Sequence, residues 1–197
     1  MVMFFSSCGF CSPIMREKFA LAIPHNESMK RKSCVIIPYA GFDTEKTAKR
    51  EKQGLVEFVF NPDNIYVLND IGVSDCEFPV AGGDTFKLLD IVKKNLLPEK
   101  IRNSVIEKRA VYIGVSEGAY LATNNIEYIT QVEDNKVIND CFDALGLVPA
   151  NILCHYVHYS YLTLKGCEEF GGHKVMTIND DQLLMYESGK WIYIGED

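Results

Sequence analysis

Val111-Tyr112-Ile113-Gly114-Val115-Ser116-Glu117-Gly118-Ala119 is the most informative stretch of this sequence. An apolar run with the character of a β-strand ends at a Gly-x-Ser-x-Gly pentad, and a segment compatible with a helix follows at once. A strand, a sharp turn and a helix in this order expose a serine hydroxyl above the end of a sheet. Glycines let the backbone approach closely in such a turn, and the N–H after the serine can point at a developing oxyanion. The stretch therefore predicts a nucleophile elbow with Ser116 as the nucleophile.

The length and composition predict a single globular domain over residues 1–197, with 47% hydrophobic and 24% charged residues. A net charge of -7 argues against a nucleic-acid surface. No apolar run approaches the roughly 20 residues that cross a bilayer, and the first residues lack the charged region of a signal peptide. We therefore expect a cytoplasmic protein without nucleic-acid or membrane partners, and the sequence makes no prediction of its oligomeric state.

The seven cysteines are an odd number and lie mostly in apolar surroundings, which is typical of small buried side chains in a reducing compartment. Cys8 and Cys11 have the spacing of a redox or metal motif, but no second pair matches them. We interpret them as two unlinked thiols in the loop after the first strand.

Strand and helix patterns alternate along the chain, and this alternation predicts an α/β fold with a mainly parallel sheet. The predicted strands are Val2–Ser7, Cys34–Pro38, Ile65–Leu68, Phe78–Ala81, Val111–Val115 and Ala150–Cys154. The predicted helices are Pro13–Ala22 with Ser12 as its cap, Thr44–Phe60 with Thr44 as its cap, Thr85–Asn95 and Glu99–Lys108. Three short strands follow near the C-terminus, and the turn Ser188-Gly189 predicts an antiparallel pairing of the last two: Lys174–Thr177, Leu183–Glu187 and Lys190–Ile194.

Two groups of residues follow predicted strands directly, Ser116 and the segment Gly82-Gly83-Asp84. Ligands of parallel sheets bind at the carboxyl ends of the strands. The sequence therefore predicts that both groups belong to one site.

A serine nucleophile needs a base within hydrogen-bond reach, and the base needs an acid that orients it. Of the four histidines, His155 and His158 follow the predicted strand Ala150–Cys154, where either could be the base or a structural residue. His25 lies in a polar loop and His173 in a turn. In the chain order serine, acid, histidine, the candidate acids are Glu127, Glu133, Asp134, Asp140 and Asp143.

Three motifs resemble the peptidase E family of aspartyl dipeptidases, which is serine peptidase family S51. The segment Ala81–Leu89 is similar to its Gly-Gly-Asn/Asp-Thr-Phe-x-Leu-Leu motif, and Tyr112–Ala119 is similar to its Tyr-Ile-Gly-x-Ser-Ala-Gly-Ala elbow. Phe142–Pro149 and Cys154–Tyr156 resemble its Phe-Asp-Ala-Leu-x-Leu-x-Pro and Pro-His-Phe/Tyr segments. The resemblance covers roughly residues 76 to 160 in the family's order.

The resemblance implies a three-layer fold that is flavodoxin-like, or class I glutamine amidotransferase-like, with a small C-terminal antiparallel extension. It also implies a serine peptidase that cleaves short peptides, such as Asp-x dipeptides, through an acyl-enzyme and without a metal or other cofactor. It assigns Ser116 as nucleophile, His155 as base and either Asp134 or Glu133 as the acid. Lastly, it places the oxyanion hole at the N–H groups of Gly83 and Glu117 and substrate contacts at Asp84 and Thr85, as in the family.

Two features differ from the family pattern. The family has alanine after the nucleophile, where this chain has Glu117, and a carboxylate near an oxyanion opposes its stabilisation. The family carries a Gly-His-Lys-Gly-Glu-Thr-Arg type of segment after the histidine, whereas this chain has no arginine after Arg109. Arginine is the usual clamp for a substrate carboxylate. These differences motivate the alternative hypothesis of a catalytically degenerate family member that binds a small ligand or partner without turnover.

Overall fold

The computed structural model describes residues 1–10, 12–23, 30–40, 43–68, 78–108, 110–137, 141–159, 161–170 and 173–195. Within these ranges the strands are β1 (Val2–Ser6), β2 (Cys34–Ala40), β3 (Ile65–Val67), β4 (Phe78–Gly83), β5 (Tyr112–Val115), β6 (Asn151–Cys154), β7 (Val175–Ile178), β8 (Leu183–Glu187) and β9 (Lys190–Ile194). The α-helices are α1 (Pro13–Ala22), α2 (Thr44–Phe58), α3 (Thr85–Lys94), α4 (Leu97–Ile106), α5 (Glu117–Leu121) and α6 (Tyr161–Glu169).

Seven of the described strands form one sheet in the order β3-β2-β4-β5-β1-β8-β9. The five strands from β3 to β1 are parallel, and β8 and β9 add an antiparallel hairpin to the edge next to β1. Strands β6 and β7 form a separate parallel pair. The α/β fold with a mainly parallel sheet and an antiparallel C-terminal extension is therefore confirmed.

The large sheet lies between two hydrophobic layers, because its central strands are buried on both faces. In β1, Met3 and Phe5 point into one layer, whereas Phe4 points into the other. Helices α1 and α2 pack in the second layer, and α3, α4 and α5 pack in the first. In this three-layer arrangement, loops from several elements meet at the ends of the parallel strands.

The ends of the predicted helices differ from the structure by a few residues. Helix α1 begins where the sequence placed it, since the Ser12 hydroxyl accepts a hydrogen bond from the N–H of Met15. The cap of α2 is Asp43 rather than Thr44, and the helix ends at Phe58 rather than Phe60. Residues 69–77, Cys11, His25, Arg109 and the candidate acid Asp140 lie outside the described residues. No helix within the described ranges has the length and apolarity to cross a membrane.

The turn after β5 is strained and tightly packed. Ser116 has φ 50° and ψ -110°, a conformation that costs a non-glycine residue about 1–3 kcal/mol. Its N–H donates to the carbonyl of Ser6 at 2.8 Å, and its carbonyl accepts from the N–H of Ala119 at 2.8 Å. The hydroxyl of buried Tyr112 donates to the Gly118 carbonyl at 2.7 Å. Burial raises the pKa of that phenol, so it remains a donor. These bonds hold the serine in its strained conformation.

Gly114 permits this turn, because a Cβ at that position would lie 2.8 Å from the Gly118 carbonyl oxygen and 2.9 Å from the Ala119 backbone. We expect Gly114→Ala to lower the free energy of unfolding by about 1–3 kcal/mol, since backbone rather than a flexible side chain must move. Urea unfolding monitored by circular dichroism measures the change.

The control for this prediction is Gly166→Ala in α6. Its Cβ would meet only the end of the Gln131 side chain, at 3.2 Å, and a helical alanine is favoured over glycine by up to about 1 kcal/mol. Equal stability of Gly114→Ala and the wild-type protein would contradict the packing argument.

Candidate active site

Neighbouring parallel strands deliver the site residues to one edge of the large sheet. Ala81 of β4 pairs in register with Gly114 of β5, and Gly83 and Ser116 each follow two residues further on, at the same edge of the sheet. Adjacent strands are about 4.8 Å apart. The ends of β4 and β5, which carry the two sequence motifs, thus lie side by side at this edge of the sheet.

The hydroxyl of Ser116 faces the imidazole of His155, with Oγ and Nε2 3.3 Å apart. His155 follows the last residue of β6 and has a left-handed backbone, with φ 56° and ψ 30°. This distance is within the range of a nucleophile and its base in an enzyme without substrate, where such contacts are often long. The residue pair that the resemblance implied is therefore together in the structure.

The other ring nitrogen of His155 contacts a carboxylate that the sequence analysis did not consider. Nδ1 of His155 lies 2.5 Å from Oδ1 of Asp180. An ionised carboxylate only accepts hydrogen bonds, so Nδ1 carries the proton and Nε2 is left as an acceptor for the Ser116 hydroxyl. Ser116, His155 and Asp180 form a continuous hydrogen-bonded relay.

The pairing of β6 with β7 explains why Asp180 reaches His155. The two strands are parallel, and Cys154 is in register with Ile178. His155 is the first residue after one strand and Asp180 the second after the other, so both side chains start from the same edge. The sequence signal was an aspartate just after the predicted strand Lys174–Thr177. Asp180 was not among the candidate acids, because those were sought between the serine and the histidine in the chain.

Glu133 and Asp134, the acids that the resemblance implied, lie elsewhere. The Glu133 carboxylate lies beside the backbone N–H and hydroxyl of Thr85, and burial followed by the nearby Asp84 carboxylate raises its pKa. Asp134 is exposed. Both ring nitrogens of His155 already have partners. Neither residue therefore contacts a ring nitrogen of His155 in this structure, where Asp180 occupies the Nδ1 side of the imidazole.

Asp84 and Thr85 begin helix α3 next to Gly83. The Asp84 carboxylate accepts a hydrogen bond from the N–H of Lys87 at 2.9 Å, so it caps the helix. The Thr85 hydroxyl is buried and makes no hydrogen bond of standard geometry within the described part of the chain, although Glu133 lies beside it. Asp84 and Thr85, for which the resemblance implied substrate contacts, thus lie next to other residues of the protein, Lys87 and Glu133 respectively.

Ser7 fixes the two loops that carry His155 and Asp180. Its buried hydroxyl accepts a hydrogen bond from the His155 N–H and donates one to the Ile178 carbonyl, both at 3.0 Å. A buried hydroxyl that loses such partners costs about 1–3 kcal/mol. Ser7 therefore connects the end of β1 to the ends of β6 and β7. No sequence motif marks this role.

The remaining candidates lie around this relay. Glu117 is the first residue of α5 and is half-buried, so its N–H is at the start of a helix next to Ser116. After burial itself, the Glu117 carboxylate is among the causes of the raised pKa of the Cys154 thiol. His158 is exposed in a short 3-10 turn and does not join the relay.

One group within the described ranges has donor atoms suited to a metal ion. The ligand atoms of Cys8, His155 and Asp180 all lie within 4.8 Å of one another. The group shares two residues with the relay, so any ion there would compete with the relay for the same imidazole.

The chain is similar to peptidases in sequence and in fold. It is 30% identical over 135 residues, 66% of this chain and 55% of the relative, to the "Probable alpha-aspartyl dipeptidase" of Drosophila melanogaster. It is 33% identical over 97 residues, 47% of each chain, to the "Uncharacterized peptidase Lmo0363" of Listeria monocytogenes. The chain thus spans about half the length of these curated relatives.

A solved structure from Listeria monocytogenes, a "Putative Peptidase E Protein", has the same fold, with a TM-score of 0.76 at 22% identity over 98% of this chain and 96% of that one. A peptidase from an acI-B1 Actinobacterium matches with a TM-score of 0.69 at 14% identity over 99% of this chain and 87% of that one. The model of peptidase family S51 matches residues 12–195, and the chain therefore belongs to peptidase family S51.

Proposed function

We propose that this chain is a serine peptidase that hydrolyses short peptides through an acyl-enzyme, with Ser116, His155 and Asp180 as its catalytic triad. The observation that carries the proposal is the relay from Ser116 Oγ through both ring nitrogens of His155 to Asp180, built on a strained elbow. Membership of a peptidase family supports the reaction class.

The geometry supports a two-step reaction. Ser116 Oγ attacks the scissile carbonyl while its proton moves to His155 Nε2. Asp180 stabilises the imidazolium through Nδ1–H, and the proton then passes to the leaving amine as the peptide bond breaks. A water molecule, deprotonated by the same imidazole, hydrolyses the ester and returns Ser116 to its starting state.

We assign the oxyanion hole to the backbone N–H groups of Gly83 and Glu117. Gly83 ends the strand that pairs with β5, two residues beyond the pair Ala81 and Gly114, and Glu117 follows Ser116 at the start of α5. Two such donors aimed at the tetrahedral intermediate stabilise its charge, and the loss of one typically costs about 10²–10³ in kcat.

The substrate class that we propose is a short peptide with a free N-terminus, such as a dipeptide. The relative from Drosophila melanogaster carries an alpha-aspartyl dipeptidase name. This chain has no arginine after Arg109 to clamp an aspartate side chain. We therefore expect cleavage of several dipeptides rather than of Asp-x dipeptides alone.

The second candidate function is binding of a small ligand without turnover. The half-buried carboxylate of Glu117, directly after the nucleophile, favours it, because negative charge near the oxyanion opposes catalysis. The two functions differ in whether Ser116 forms a covalent adduct with an acyl-like reagent.

The first test compares wild-type protein with Ser116→Ala on a panel of Asp-x and other dipeptides. We expect the variant to lose at least about 10³-fold in kcat/KM, since the nucleophile is gone. We also expect a fluorophosphonate to label the wild-type protein at one site per chain and to leave the variant unlabelled, as measured by intact mass.

Ser33→Ala is the matched control, because Ser33 precedes β2 at the opposite edge of the sheet. It should retain both the activity and the label. Equal hydrolysis by wild-type and Ser116→Ala proteins would remove the peptidase proposal, and unlabelled, inactive wild-type protein would favour the binding function.

The second test concerns the identity of the acid. We expect Asp180→Asn to lower kcat by about 10²–10⁴-fold with little change in KM, because an amide that donates to Nδ1 leaves the proton on Nε2. Asp181→Asn is the control, since Asp181 is the exposed neighbour in the same loop. Steady-state kinetics of both variants measure the effect. A large loss of kcat in Glu133→Gln or Asp134→Asn, with Asp180→Asn unaffected, would restore the acid implied by the resemblance.

A further inference from the structure

Cys8 lies beside the relay but has no role in the reaction proposed above. It follows Ser7 in the loop after β1 and is half-buried. Its Sγ, a ring nitrogen of His155 and a carboxylate oxygen of Asp180 lie within 4.8 Å of one another, and all three residues are partly accessible to solvent. A sulfur, a nitrogen and an oxygen donor therefore converge from three different loops.

The backbone on both sides of Cys8 is fixed. The preceding Ser7 hydroxyl is bonded to the His155 N–H and to the Ile178 carbonyl. The following Gly9 donates its N–H to the Ser6 hydroxyl at 2.9 Å and has φ +60°, with Val115 side-chain atoms 3.0 Å from where a Cβ would lie. The same bonds thus hold the backbone of Cys8 near His155, so that the three side chains start close together before any ion arrives.

The donor set matches the preference of zinc-type ions. Zinc takes cysteine sulfur, histidine nitrogen and carboxylate oxygen in tetrahedral sites, often with three protein ligands and an open fourth position. Bond lengths of about 2.0–2.3 Å place such donors about 3.3–3.8 Å apart. To reach that geometry, Sγ must come closer and the 2.5 Å contact between His155 Nδ1 and Asp180 Oδ1 must open.

We propose that Cys8, His155 and Asp180 form a site for a divalent metal ion of the zinc type, and that the ion switches off hydrolysis. The metal site follows from the placement of the donors alone. The inhibition rests on the proposed function, because it requires that His155 be the base for Ser116.

The chemistry of binding explains the inhibition. The Cys8 thiol releases its proton to solvent as the sulfur–metal bond forms, and a lone pair of the imidazole makes the second bond. If Nδ1 binds the ion, the remaining ring proton resides on Nε2, which then faces Ser116 as a donor and cannot accept its proton. If Nε2 binds the ion, the metal separates the base from the nucleophile. No oxidation state changes in either case.

Titration with Co²⁺ tests the site without using activity. After treatment with a chelator and its removal, we expect the wild-type protein to bind one Co²⁺ per chain with the visible bands of four-coordinate cobalt and a thiolate charge-transfer band, both removed by Zn²⁺. Cys8→Ser and Cys8→Ala should lose the charge-transfer band and bind the ion at least about 10-fold more weakly, and Asp180→Asn should also bind more weakly.

Cys141→Ser is the matched control, because Cys141 is an exposed thiol near Lys93 rather than near His155. It should keep the cobalt spectrum, and so should Ser116→Ala. A missing spectrum in the wild-type protein, or one that survives in both Cys8 variants, would overturn the proposed site.

Dipeptide hydrolysis with and without Zn²⁺ tests the consequence, with each protein compared with its own rate in chelator. We expect inhibition of the wild-type protein and Cys141→Ser, and at least about 10-fold less sensitivity in Cys8→Ser. Equal sensitivity of the wild-type protein and Cys8→Ser would overturn the proposal. A cobalt spectrum that depends on Cys8, in a chain that hydrolyses no dipeptide, would leave the metal site standing and remove the proposed function instead.

Discussion

The candidate site depends on the hydrogen bonds at the carboxyl end of β1. The Ser6 carbonyl accepts from the Ser116 N–H at 2.8 Å, and the Ser7 hydroxyl joins the His155 N–H to the Ile178 carbonyl. Both serines are buried. Buried polar groups must keep their partners, because water cannot replace a lost bond there. Two neighbouring residues thus set the positions of three loops that contribute to the relay.

The central place of β1 in the sheet makes this possible. β1 lies between β5 on one side and the β8–β9 hairpin on the other, and residues of both faces are buried. A strand held by pairing on both sides moves little relative to its neighbours. The end of β1 therefore holds both the elbow after β5 and the separate β6–β7 pair in place through its hydrogen bonds.

Two of the four described non-glycine residues with positive φ belong to the relay. Ser116 and His155 both have positive φ, at 50° and 56°, although neither is glycine. A residue in this conformation is less stable than in an ordinary one, and it persists only where surrounding bonds enforce it. The bonds from Ser6, Ser7 and Tyr112 supply that enforcement. The strained backbone lowers the stability of the folded protein, but it lets the side chains of Ser116 and His155 face each other at the edge of the sheet.

Most of the fold could be predicted from the sequence, because its signals are local. The elbow glycines, the Ser12 cap of α1 and the alternation of strand and helix patterns each depend on residues close in the chain. The position of Ser116 at the end of β5 follows from the same local pattern, and the residue after β6 was a candidate base for the same reason. The resemblance then separated His155 from His158.

The contact between Asp180 and His155 and the placement of Cys8 could not be predicted in this way. Asp180 meets His155 because β6 pairs in parallel with β7, and that pairing is a contact between distant segments which no local pattern encodes. Cys8 reaches the same imidazole only because Ser7 ties the end of β1 to both loops. From the sequence one can predict that Ser116 and His155 follow the ends of strands. Which strand ends lie next to each other depends on hydrogen bonding between strands that are far apart in the chain, such as β6 and β7, and is therefore seen only in the tertiary structure.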